Sequence, residues 1–200
     1  MRIGEMFLGR VEGQGTQSVQ TKFFILGVPL FPTESYWSTQ DTANGVIGFP
    51  IPIHGKSVLF GYLRMYTWLG ALLAGIFAWI EHRSYDPEYG LMGLAAVCLV
   101  LAIVSTFVLG GVDAAEQKRR SVLHRVTGLY APPEILSPEK REEIGLGLSR
   151  AWAKNSPELG WTARLDSGKA TAAELPLLYT IARYELDATR AASAERALSI

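Results

Sequence analysis

The stretch "LMGLAAVCLVLAIVSTFVLGG", residues 91–111, decides how the rest of the chain is read. It has no ionisable side chain apart from the Cys98 thiol, and twelve of its residues are Leu, Ile, Val, Phe or Met. At about 0.3 to 0.6 kcal/mol each, those twelve favour insertion into a bilayer by roughly 4 to 7 kcal/mol before the small and hydroxylated residues are counted against it. A second run lies upstream at Leu59 to Ile80. At about 1.5 Å rise per residue, 21 or 22 residues make a helix of roughly 32 Å, which matches a hydrocarbon core of about 30 Å. A buried helical hairpin in a globular core is the competing reading. It would need a large surrounding protein, and the remaining residues are too few and too polar to supply one.

The upstream run carries Arg64 only five residues past Leu59, so its stem can lie in the apolar zone while the guanidinium reaches the headgroups. The alternative is an arginine that faces a polar pocket or a partner. Tyr62, Tyr66 and Trp68 near one end and Trp79 near the other read as interfacial aromatics. Only "EHRSYDPEYG", residues 81–90, joins the two runs, so the helices are expected to be antiparallel neighbours. Gly70, Ala71, Ala74 and Gly75 on the first helix form small-xxx-small pairs, and Gly93, Ala96 and Ala102 offer low spots on the second. These are expected to pack the hairpin, and secondarily to contact another copy.

Charge sets the orientation. Lys118, Arg119, Arg120 and Arg125 follow the second run, whereas the connecting loop has Arg83 against Glu81, Asp86 and Glu88. The excess of positive charge places both large segments in the cytoplasm and the loop outside. The basic cluster anchors that topology and could also meet anionic headgroups. No cleaved signal peptide is expected at the N-terminus.

Residues 1–57 form a β-rich segment, cytoplasmic or on the membrane surface. Strand candidates are "SVQTKFFILGVPLFP", "ESYWSTQ" and "NGVIGFPIPI", with Pro29, Pro32, Pro50 and Pro52 confining them to edges or short pieces. Phe23, Phe24, Phe31, Trp37 and Phe49 would supply the core, unless some of them dip into the lipid interface. Residues 113–200 read as helical. The helix after the second run is expected to continue to Pro132-Pro133. Ser137 then caps a helix with Pro138 at its first position and an apolar stripe of Ile144, Leu148 and Trp152. Thr171 with Glu174 signals another helix that starts near Leu175, with Leu178, Ile181, Ala182 and Leu186 inward. The last dozen residues are expected to fray.

Several chemistries are disfavoured. Net charge is zero, with 19 basic and 19 acidic residues, so no global field attracts nucleic acid. Gly55-Lys56-Ser57 ends like a phosphate-binding loop, but the required first glycine is Pro50, which lacks an N–H, so no nucleotide is expected. His54, His82 and His124 are divided between the two sides of the membrane, so no metal site is expected, and the single cysteine permits no disulfide. No catalytic or cofactor-binding residue is assigned.

The expected class is thus an α-helical integral membrane protein. It has a two-span hairpin at residues 58–112 (spans about 59–80 and 91–111), a small β-rich N-terminal segment and a helical C-terminal segment. The expected location is a bacterial inner membrane, with both termini cytoplasmic. The expected function is a non-enzymatic scaffold or accessory subunit that contacts the bilayer and other membrane proteins or itself, with Trp152 and Trp161 offered to a partner. The alternatives are an oligomeric small transporter or export component with Arg64 lining its path, and a membrane-tethered enzyme with a pocket in the C-terminal segment.

Overall fold

The computed structural model describes residues 3–26, 28–42, 45–82, 89–156 and 160–200. The chain divides into two compact units, residues 1–111 and 112–200.

The first unit begins with four strands, β1 (Ile3–Gln14), β2 (Gln17–Leu26), β3 (Pro29–Thr42) and β4 (Gly45–Ile51), in one antiparallel sheet of order β1-β2-β3-β4. The sheet is larger than the short pieces expected, because "IGEMFLGRVEGQ" is itself a strand of 12 residues. Two left-handed residues, Gly9 (φ 69°) and Glu12 (φ 56°), fall one in each of the register shifts Leu8/Val11 and Val11/Gln14 and bend β1. Pro29 and Pro32 lie where β3 has passed the end of its pairing with β4, and Pro50 sits on the edge strand β4. On a side with no neighbouring strand a missing N–H costs no ladder bond.

Helix α1 (Gly55–His82) follows, and its first turns pack on the sheet; α2 (Tyr89–Phe107) returns beside α1. The less exposed positions of α2, namely Leu91, Ala95, Cys98, Ala102 and Ser105, repeat at alternating steps of four and three, the spacing of a helix-helix seam. The expected loop with Arg83, Asp86 and Glu88 lies outside the described residues.

The expected α-helical class is corrected. A four-stranded antiparallel sheet together with seven α-helices among the described residues makes this a mixed α/β protein. Two helices, α1 and α2, are long and apolar enough to cross a membrane, and that property by itself does not define a membrane class.

In the second unit the helix was expected to run on from the apolar run, and it does not. Gly110 turns with φ 93°, Asp113 caps a new helix α3 (Ala114–Thr127) by accepting from the Glu116 N–H, and Gly128 closes it in the left-handed conformation. After a 3-10 turn at Pro133–Ile135 come α4 (Pro138–Asn155), α5 (Trp161–Asp166), α6 (Leu175–Tyr184) and α7 (Ala188–Leu198). Ser137 caps α4 through the Lys140 N–H. Helix α6 is the centre of this unit: Leu178, Ile181 and Ala182 are buried, and α3, α4 and α7 pack around it. Leu186, expected inward, is exposed past the end of α6 with φ 58°. The tail expected to fray forms α7, started by Asp187 and held by the buried Ala191 and Ala194.

Candidate functional site

The Gly55-Lys56-Ser57 triplet opens α1 and binds it to the sheet. Ser57 is buried; its hydroxyl donates to the Gly9 carbonyl oxygen at 2.6 Å and accepts from Thr21 Oγ1 at 2.9 Å. Thr21 also lies 2.8 Å from Ser35 Oγ, which accepts from the His54 N–H. Lys56 Nζ sits 3.6 Å from a Glu12 carboxylate oxygen, and His54 Nε2 lies 3.7 Å from the same atom. The lysine and serine of a phosphate loop are thus engaged in holding a helix to a sheet. Two glycines permit the close approach: a Cβ on Gly9 would overlap the Ser57 carbonyl, and one on Gly61 would come 2.7 Å from Phe23 Cζ.

Further along α1 the aromatic residues continue this contact. Phe23 meets Tyr62 edge to face, Tyr62 Oη donates to the Leu30 carbonyl at 2.8 Å, and Tyr66 Oη donates to that of Pro29 at 3.2 Å. Arg64, expected to reach headgroups, lies half-buried with its donors turned inward. Its Nε donates to the Ser105 carbonyl at 2.7 Å and one terminal nitrogen donates to that of Arg10 at 2.6 Å. The physical reason is that the last turn of α2 and the bent strand β1 both present carbonyls within reach of its planar fork.

Beyond the sheet the hairpin turns its side chains outward. Only 6 % of the apolar window in α1 and 11 % of that in α2 are buried, and Leu72, Phe77, Trp79, Val97, Val100 and Ile103 are all exposed. The small residues divide into two sets. Gly70 faces Cys98, and Ala74 and Ala102 are buried, so these close the seam. Ala71, Gly75 and Ala96 instead line an outward groove of about 360 Å³ with Trp68, Leu72, Ala95 and Leu99, and Gly93 faces open space.

The second unit uses two members of the basic cluster internally. Arg120 is only 4 % exposed and bonds Glu116 at 2.9 Å, while Arg119 pairs with Glu195 at 2.7 Å. Lys118 and Arg125 are exposed seven residues apart, on one face of α3. Trp152, expected to meet a partner, is 3 % exposed, because the α4 stripe that holds it packs on α6. Trp161 is half-buried, with the Arg190 guanidinium 5.8 Å from its ring centre.

Two shifted acids in this unit stand at helix starts, and a third, Asp166 at the end of α5, is held low by the Arg190 guanidinium. The Thr171 N–H and hydroxyl, with the Arg164 guanidinium, hold Glu174 below the ordinary carboxylate value, and the Arg190 N–H and guanidinium do the same for Asp187. Burial pushes the Tyr184 hydroxyl up to about 12. A cleft of about 200 Å³ bordered by Glu134, Arg183, Asp187 and Glu195 is smaller than ordinary ligand pockets, and Arg183 there is paired with Glu134. Among the described residues no three His, Cys, Asp or Glu side chains come together to hold a metal. Comparison with known proteins gives no match to a family model, to a curated protein or to a solved structure.

Proposed function

We propose that this chain is a membrane-embedded scaffold or accessory subunit whose α1–α2 hairpin crosses the bilayer, with both termini on the cytoplasmic side of a bacterial inner membrane. The observation that carries this reading is the outward-facing apolar surface of α1 and α2. In water so large a contiguous patch would drive association, whereas acyl chains or partner helices solvate it.

Partner contact is assigned to the groove of Ala71, Gly75, Ala95 and Ala96. Small residues let a helix backbone approach closely, and the wall is almost entirely apolar. The partner surface of the hairpin adjoins its own seam at Gly70, Ala74 and Ala102, with Ala95 at the border between them. Lys118 and Arg125 remain as basic residues available to anionic headgroups. A transporter lined by Arg64 is the weaker reading, because Ser105 and Arg10 already engage that guanidinium.

The test uses gentle detergent extraction with an affinity handle at the C-terminus, comparing the native chain with Gly75→Leu. Gly75 has open space at its Cβ position, so the substitution fills the groove without disturbing the hairpin seam. A membrane partner that co-purifies stoichiometrically with the native chain and is lost from Gly75→Leu supports the reading. No near-stoichiometric partner, or one indifferent to the substitution, counts against it.

A further inference from the structure

Helix α1 and strand β2 run in the same direction, and the contacts between them give a common scale. Ser57 lies at Thr21, Gly61 at Phe23, Tyr62 at Leu30, and Tyr66 at Pro29, the residue across from Ile25. Nine helical steps of about 1.5 Å and four strand steps of about 3.3 Å both give about 13 Å, so each row of the sheet has a definite height along the helix.

That height places the β2–β3 end of the sheet below a membrane surface, provided the hairpin spans as proposed above. If Ile80 marks the far edge of a hydrocarbon core of about 30 Å, the near edge falls about 20 residues back, at Phe60. Tyr66, with Pro29 bonded to it, then lies about 9 Å inside, a depth at which interfacial elements rest. Lys22 and Glu34 pair opposite one another three rows before Ile25, about 10 Å higher, at the headgroups.

The chemistry of this end fits that depth. Every described residue from Phe23 to Pro32 is apolar, and Met6, Leu30 and Phe31 are 55 %, 43 % and 53 % exposed. Several of its backbone polar groups are provided for: Pro29 and Pro32 have no N–H, the Leu26 N–H bonds the Val28 carbonyl, and the Leu30 and Pro29 carbonyls accept the two tyrosine hydroxyls. An end in water needs no such provision, whereas one in lipid does. Lys22, above it, pairs with the carboxylate of Glu5, and Glu34 accepts from Tyr36 Oη at 2.7 Å.

We propose that the β2–β3 end of the sheet is a membrane-inserting edge. Leu26, Leu30 and Phe31 enter the outer acyl region beside α1, Lys22 and Glu34 stay among the headgroups, and Glu5, whose backbone lies opposite Phe24, turns its carboxylate back toward Lys22. The sheet is then fixed to the bilayer by its own surface as well as by the hairpin.

The experiment uses the full chain carrying Cys98→Ala and one new cysteine, at Phe31, Leu72 or Gln40, labelled with an environment-sensitive fluorophore. Each protein is reconstituted into phosphatidylcholine vesicles brominated near the headgroup or near the chain end. Support is a blue-shifted Phe31→Cys label quenched most by shallow bromine, a Leu72→Cys label quenched most by deep bromine, and a Gln40→Cys label quenched by neither. A quenched Leu72→Cys label with an unquenched Phe31→Cys label overturns the edge and leaves the hairpin standing. A Phe31→Cys label that is blue-shifted but indifferent to bromine also overturns it, since protein, such as a second copy, then covers the patch. No quenching at Leu72→Cys overturns the hairpin and the edge together. Should Phe31→Cys fail to fold, Leu30→Cys reads the same depth with the same outcomes.

Discussion

The Arg64 Nε donates to the Ser105 carbonyl oxygen at 2.7 Å, joining the early part of α1 to the last turn of α2, while the same guanidinium reaches Arg10 of β1. One cation thus ties together three elements of the first unit, α1, α2 and β1. Arg64→Ala would leave helix-end and strand carbonyls without their charged donor, and we expect a loss of about 2–3 kcal/mol. Arg64→Lys should recover only part of it, because an ammonium lacks the planar fork that serves separated acceptors. Thermal unfolding in detergent micelles checks both; equal stability of the native chain and Arg64→Ala would show that the clamp does not hold the unit together.

Ser57 should matter for packing and be irrelevant to phosphate. Ser57→Ala removes the donor to Gly9 and the acceptor of Thr21 in a fully buried spot, for an expected cost of about 1–3 kcal/mol. Gly9→Ala should cost at least as much, since a left-handed backbone and overlap with the Ser57 carbonyl are both strained, at about 1–3 kcal/mol each. Gly4→Ala, with open space at its Cβ, is the control and should leave the melting curve in place. Titration with ATP should give no saturable binding to the native chain.

Acid should loosen the second unit through its helix starts. Glu174 and Asp187 have folded values below their ordinary 4.5 and 3.8. The stability they contribute is therefore complete above those ordinary values and is lost as pH falls through the lower folded ones. Amide hydrogen exchange in the first turns of α6 and α7 should quicken as pH drops below that range, after correction for intrinsic rates. In Glu174→Gln the response at α6 should be diminished while that at α7 persists; an unchanged response at α6 would remove Glu174 as its cause.

What was legible in the sequence was what depends on near neighbours. The apolar runs that became α1 and α2, the Ser137 cap before Pro138 and the Glu174 start of α6 are all read within one or two turns of chain. Strand β1 was missed because Gly4, Gly9 and Gly13 and its bend at Glu12 break the alternation that marks a strand. The break before α3 was also passed over, although Gly110-Gly111 followed by Asp113 is a local stop-and-start signal. Helix α7 was lost in a run of alanines: it is held by burial of Ala191 and Ala194 and by Glu195 reaching Arg119, 76 residues away. The inward turn of Arg64 is of the same kind, since its acceptors stand 41 and 54 residues distant. The burial of Trp152 is not legible either, because one helix shows an apolar stripe without showing what covers it.

The most direct test of the account is the sidedness of the hairpin. In a Cys98→Ala background, single cysteines at Gly90, the start of α2, and at Gln40, on the sheet end far from the apolar edge, are exposed to a membrane-impermeant maleimide in intact cells. The account predicts labelling at Gly90→Cys from outside and at Gln40→Cys only after permeabilisation. Both sites labelled alike, or the chain recovered without detergent from an alkaline carbonate wash, would contradict it.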